Sequence, residues 1–197
     1  VAPRLQALLQ RAFFVVCEPQ RVGQKHQLII TGAEQIGRIF DVLGYDRKSH
    51  ITYHLNRNVL EEDCCIASFL RGAFLMAGTV AGPDKKSHLE LKTARQSLAG
   101  EETSLLLDLG LSPKQMRRAS AHILYFKDGT SVEDFLTRIG APRAAMELME
   151  AKVEKNIRNT INRQVNCETA NLVKAADASA RQIAAIRAVL DAHGEEG

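Results

Sequence analysis

The residues best equipped for chemistry in this 197-residue chain are cations set at strand spacing. Lys85, Lys86, His88 and Lys92 fall on one expected hairpin, and Arg117, Arg118, His122 and Lys127 on a second. Arg21, Lys25 and His26 surround a third. Such side chains neutralise phosphate and donate hydrogen bonds to base edges, so their chemistry is binding rather than turnover. Between His88 and Lys92 the strict alternation turns Leu89 and Leu91 inward and leaves His88, Glu90 and Lys92 on the opposite face. Glu90 is unhelpful beside phosphate, although it can accept a hydrogen bond from cytosine N4. The same charges also suit a merely solvated hairpin surface, and at this level both readings stand.

Other chemistries find less support. Cys17, Cys64, Cys65 and Cys167 include no CxxC pair, so packed or reduced thiols are expected, with neither a disulfide framework nor a zinc site. His50 and His54 share one strand face but lack a third ligand. GxSxG, the P-loop and GxGxxG are all missing. No metal and no cofactor are expected. Arg158, Asn159, Asn162, Arg163 and Asn166 stand at helical spacing beside an apolar stripe, Met149, Val153, Ile157, Ile161 and Val165. They suit either a phosphate- or base-contacting face or a polar clamp that ties the C-terminal helices to the preceding domain.

The elements that must carry these residues follow from apolar periodicity. Charge is balanced at +3, mean hydropathy is −0.16, and the longest uncharged apolar run is about half of what a bilayer needs. Arg4, Arg11 and Glu18 break any apolar signal core near the N-terminus. The absence of Trp and the 5% aromatic content argue against a base-stacking surface for single strands. Leu5, Leu8, Leu9 and Ala12 predict a helix, Phe13 to Cys17 a strand, Gln27 to Thr31 its returning partner, and Ala33 to Leu43 a helix stopped by Gly44. Ile51, Tyr53 and Leu55 alternate in a connector.

A helix from Cys64 to about Ala77 is apolar on nearly every side and is therefore expected to be buried. After it come strands over Thr79 to Gly82 and His88 to Lys92, then a helix interrupted near Gly100. A hairpin from Met116 to Lys127 follows, with Asp128-Gly129 as its turn, and a helix opened by Ser131 or Thr130 ends at Gly140. The rest is helical, with Asn166 as a stop and restart. The first forty-odd residues resemble the last half of this second unit, so an internal duplication is the economical reading. The boundaries are 1–44 for an incomplete first repeat, 45–60 for a connector, 61–143 for a second repeat and 144–197 for a helical linker.

Gly72 and Gly78 stand six residues apart in this apolar helix, each costing about 1 kcal/mol relative to alanine. Without Cβ atoms they admit a second helix backbone to short distance, or Gly78 simply closes the helix. This helix and the αββαββα order after it resemble the LAGLIDADG fold of homing endonucleases. There, two such helices pack face to face beneath a saddle of strands that grips duplex DNA.

The closer resemblance is to the WhiA family of bacterial sporulation and cell-division regulators. It rests on Cys64-Cys65, Leu70-Arg71-Gly72-Ala73-Phe74-Leu75, Gly78 with Val80, and His88-Leu89-Glu90. It continues through Arg158-Asn159, Asn162-Arg163 and Val165-Asn166-Cys167-Glu168-Thr169-Ala170-Asn171. The endonucleases place a metal-holding carboxylate at the end of the helix, where this chain has Ala77. Asp84 and Glu90 are the nearest acids in sequence.

The resemblance therefore implies an α+β saddle followed by C-terminal helices. Its expected function is that of a catalytically inactive, cytoplasmic and nucleoid-associated double-stranded DNA-binding transcription regulator. Arg21, Lys25, Lys86, His88, Lys92, Arg117, Arg118, Lys127, Arg158 and Arg163 are the candidate DNA contacts, with Gly72 and Gly78 for helix packing. Other regulatory proteins are further partners, no membrane is involved, and a monomer with internal pseudo-twofold symmetry is expected. In that family a helix-turn-helix reader follows, and the reading here places it beyond Gly197. The rivals are a protein-interaction module that kept the fold and an active endonuclease.

Overall fold

The computed structural model describes residues 2–23, 25–45 and 54–194, which divide into a unit over residues 1–149 and a second over 150–197. The first unit opens with α1 (Ala2–Phe13), β1 (Pro19–Val22), β2 (Lys25–Leu28) and α2 (Ala33–Val42). A 3-10 turn (Arg57–Val59) leads to α3 (Asp63–Ala77), β3 (Gly78–Val80), β4 (Leu89–Thr93) and α4 (Gln96–Asp108). Then come β5 (Lys114–Arg118), β6 (Ala121–Phe126) and α5 (Gly129–Arg138). The last helix, α6 (Pro142–His193), starts in the first unit and supplies the second. From α3 to α5 the order is the expected αββαββα, and α1-β1-β2-α2 repeats the order of α4-β5-β6-α5.

The strands β3-β4-β6-β5 form one antiparallel sheet, while β1 and β2 pair as a separate hairpin. Alternation sends Leu89 and Leu91 of β4, and Leu124 and Phe126 of β6, to one face. There they pack with Leu70 of α3, Leu106 of α4, and Val132 and Phe135 of α5, all at 2% exposure or less. Arg71 fastens α3 to the end of α5, because its Nε donates to the Ile139 carbonyl. Gly140 allows that contact: its φ is +78°, and a Cβ there would lie 2.5 Å from the Arg71 guanidinium.

Several expectations give way. Phe13 to Cys17 is not a strand. The Phe14 N–H donates to the Gln10 carbonyl, the bond that closes a helix through a left-handed residue, here Phe14 at φ +54°, and the Val15 N–H reaches back to the Leu9 carbonyl. The hairpin begins only at Pro19, so its strands are shifted from the expected ones. The helix over residues 96–108 runs through Gly100 unbroken, because Ala99, Leu105 and Leu106 hold its inner face. Asp128 is not a turn residue but the N-cap of α5, its Oδ1 accepting from the Ser131 N–H at 2.7 Å. Residues 142–193 form one helix with no restart at Asn166, which sits in a run free of Gly and Pro. The alternation at Ile51 and Tyr53, with His50, lies outside the described residues, while Leu55 is held by its N–H on Glu101 Oε2.

Nor is α3 buried all round. Leu70 alone on it is fully covered, while Leu75 and Met76 are exposed.

Candidate nucleic-acid interface

The sheet face away from the core collects the charges. β4 pairs Glu90 with Tyr125 and Lys92 with Ile123, and β5 sets Lys114 against Tyr125 and Arg118 against Ala121. Period two therefore places Glu90, Lys92, Lys114 and Arg118 on the same side. Lys127 joins them from just beyond β6, its Nζ 5.0 Å above the Tyr125 ring.

Glu90 organises part of this face. It is only 7% exposed, with His88 Nε2 at 2.8 Å, Lys92 Nζ at 3.4 Å and Arg118 at 4.0 Å from its oxygens. The hydrogen bond with His88, aided by Lys92 and opposed by burial, holds its carboxyl below the ordinary carboxylate range. His88, Lys92 and Arg118 are thus arranged around an anion, while Lys114 and Lys127 have no ion pair among the described residues.

Other expected contacts are dispersed. Arg117 pairs with His122, and both fall on the core-bearing face with Leu124 and Gln115, so adjacent Arg117 and Arg118 point to opposite sides. Lys85 and Lys86 are exposed in the loop between β3 and β4, where the Lys85 N–H closes a turn on the Gly82 carbonyl. Arg21 turns its Nε back to the Gly23 carbonyl, and Lys25 is placed opposite Val22 on the separate hairpin. Arg158 and Arg163 are exposed on α6 in the second unit.

Ala77 ends α3, and no carboxylate replaces it on that helix, whose one acid is Asp63 at the opposite end. The nearest acids named from sequence lie elsewhere: Asp84 is exposed in a turn, and Glu90 holds His88, Lys92 and Arg118. Instead, Glu102 of α4 lines the same groove as Ala77. Among the described residues no three His, Cys, Asp or Glu side chains converge as a metal site would require.

The two glycines also differ. A Cβ on Gly78 would collide with the Phe74 ring and carbonyl of its own helix, whereas one on Gly72 would meet nothing within 4 Å.

Sequence reasoning missed Lys114 and Glu102. Extending the Met116/Arg118 alternation two residues back reaches Lys114, but Ser112-Pro113 reads as loop. Glu102 shares the helical face of Leu98 and Leu105, and that placement was its available signal.

Comparison with known proteins finds two domain profiles along the chain: the WhiA LAGLIDADG-like domain over residues 66–158 and the WhiA C-terminal HTH domain over residues 161–196. The second falls on the segment expected to be a linker, which here is part of the continuous α6. The probable cell division protein WhiA of Clostridium perfringens (strain SM101) is 33% identical over 183 residues, 93% of this chain and 55% of that protein. Its namesake in Ruminiclostridium cellulolyticum is 38% identical over 162 residues, 82% of this chain and 52% of the relative. The chain thus spans about half the length of these curated relatives. The crystal structure of full-length WhiA from Thermatoga maritima shares the fold, with a TM-score of 0.67, 22% identity, and coverage of 100% of this chain and 64% of that one.

Proposed function

The chain belongs to the WhiA family, and from that premise we propose that it binds double-stranded DNA, without cutting it, as part of a bacterial transcription regulator. The observation that carries this reading is the outward sheet face, where Lys92, Lys114, Arg118 and Lys127 stand together around Tyr125 and Ile123. Cations so placed follow phosphates, and the 161–196 match to the family's HTH domain model supports the same reading. The non-cleaving character is supported by Ala77, since two-metal hydrolysis needs a carboxylate to hold the ion that activates water. Sporulation, cell division and chromosome segregation at the nucleoid, with other regulatory proteins as partners, are the roles that this reading gives it. No helix among the described residues is long and apolar enough to cross a membrane.

The helix-packing part of the proposal narrows to Gly72, whose open side suits the close approach of a second helix, while Gly78 answers a need of its own helix end.

Duplex binding measured against rising salt tests the reading. Affinity falls steeply with salt, and Lys114→Ala and Lys127→Ala each lower the slope by about 1, while Arg117→Ala leaves it unchanged. Affinity indifferent to salt overturns the proposal, and a Mg²⁺-dependent nick overturns its non-cleaving part. One observation favours the rival interaction module: Glu90 already pairs with two of these four cations, Lys92 and Arg118. On that reading the salt slope is flat in every variant.

A further inference from the structure

α3 opens on two adjacent thiols: Cys64 and Cys65 are its second and third residues, one exposed and the other half-buried, and both are free. Consecutive helical positions diverge by about 100°, so neighbouring side chains on a helix have no need to meet. Here the two Sγ atoms lie 4.0 Å apart and share a hydrogen bond. That bond pushes the Cys65 group up and keeps it a thiol rather than a reactive thiolate. The turn beneath them is well held. The Cys65 and Ile66 N–H groups both donate to the Glu62 carbonyl, and Ser68 Oγ donates to the Cys64 carbonyl at 2.7 Å.

The spacing selects the chemistry. A disulfide needs sulfurs about 2.05 Å apart and Cα atoms about 4.4–6.8 Å apart, whereas neighbouring Cα atoms are fixed at about 3.8 Å. Closing that bond would unwind the first turn of α3. An atom joined to both sulfurs by bonds of about 2.3 Å spans about 3.8 Å at a tetrahedral angle, close to the separation already present. Zinc requires further ligands, and among the described residues no three His, Cys, Asp or Glu side chains form such a group. Two thiolates alone satisfy a soft centre of low coordination number, such as monovalent copper or trivalent arsenic with one organic substituent. Room adjoins the pair: a cavity of about 260 Å³ borders Cys64, walled by Ile66, Ala67, Leu70 and Leu109 and flanked by Asp63 and Arg138.

We propose that Cys64 and Cys65 form a two-thiol site for a soft, thiophilic centre, seated on the first turn of α3. Both ligands come from adjacent residues, so the site is independent of DNA binding and of any segment outside this chain. An organoarsenic(III) oxide reacts with no change of oxidation state. Two S–H bonds and the As=O bond break, two As–S bonds form, and the oxygen leaves with both thiol protons as water. Monovalent copper forms two Cu–S bonds as both thiol protons pass to solvent. Either centre clamps the start of the helix that carries Leu70 into the core and Arg71 onto the end of α5.

The test titrates the reduced chain with phenylarsine oxide and, separately, with monovalent copper held in a competing chelator under a reductant. One equivalent binds per chain with loss of two titratable thiols, and the thermal midpoint rises because the ligand prefers the folded turn. Cys64→Ser and Cys65→Ser each weaken binding by roughly 100-fold or more, since the second sulfur acts at high effective concentration. Both variants keep the unliganded midpoint, which separates lost binding from lost fold. Cys17→Ala and Cys167→Ser leave binding unchanged. A response to one probe alone assigns the site to that element. No stoichiometric binding of either probe overturns the proposal, as does binding that survives both single variants or is lost with Cys167→Ser. A midpoint that falls on binding means that the ligand prefers the unfolded pair, and overturns the placement on a helical turn. Complete closure of the Cys64 to Cys65 disulfide by diamide, with helicity unchanged, overturns the choice of chelation over oxidation.

Discussion

Glu90 sets how many free charges the outward face presents. Its carboxyl is held low mainly by His88, so the sign of its pH effect follows. A carboxyl depressed in the folded state stabilises the fold above its ordinary pKa, and that contribution is lost as pH falls through the depressed folded value. Glu90→Gln is therefore expected to flatten the acid limb of a thermal-stability profile below about pH 4.5 and to leave stability near neutrality little changed in slope. The check is the melting temperature of both proteins between acid and neutral pH; parallel acid limbs would show that Glu90 is not linked to folding. The outward direction of Glu90 was legible from the alternation of His88 to Lys92. Its third partner was not: Arg118 lies on β5, across β6 from β4, and strand order is a long-range outcome that no local period encodes.

At the scale of elements, the strands of the second repeat were readable because Leu89, Leu91, Leu124 and Phe126 alternate against a single core. The failures were at ends and turns. Phe13 to Cys17 has strand-like composition, yet the closing hydrogen bonds of α1 take those residues first. Met116 to Ala119 read as strand, but the strand stops at Arg118 and Ala119 adopts φ +53° in the tight turn to Ala121. A left-handed residue with a Cβ costs about 1 kcal/mol or more, a strain that glycine does not carry. Ala119→Gly is accordingly expected to stabilise the hairpin by roughly 1 kcal/mol, less the extra entropy of an unfolded glycine. A raised denaturant midpoint with an unchanged m-value is the expected result, and a lowered midpoint would mean that the backbone strain is relieved some other way.

For the whole molecule, the decisive contrast is between a unit with a core and a unit without one. The core cluster draws on α3, β4, α4, β6 and α5, and its last members are Ala145 and Leu148. From Glu150 onward every described side chain is exposed or, at Ala151, half-buried, and the apolar stripe through Val153, Ile157, Ile161 and Val165 stands open. The stripe was legible, but whether the helix continued through Asn166 was not, because a lone Asn in a breaker-free run neither starts nor stops a helix without caps or packing. A helix held by propensity alone melts by fraying over a broad range, whereas a packed core unfolds in one cooperative step. Heating should therefore remove far-ultraviolet helicity in two phases: a gradual loss from residues 150–193, then a sharp transition shared with the near-ultraviolet signal of Tyr125 and the Phe126–Phe135 pair. Removing residues after Met149 should delete the gradual phase and leave the sharp one within a few degrees of its original midpoint. If the truncated chain instead loses its sharp transition, the second unit contributes to the core, and the sheet face must be studied with α6 attached.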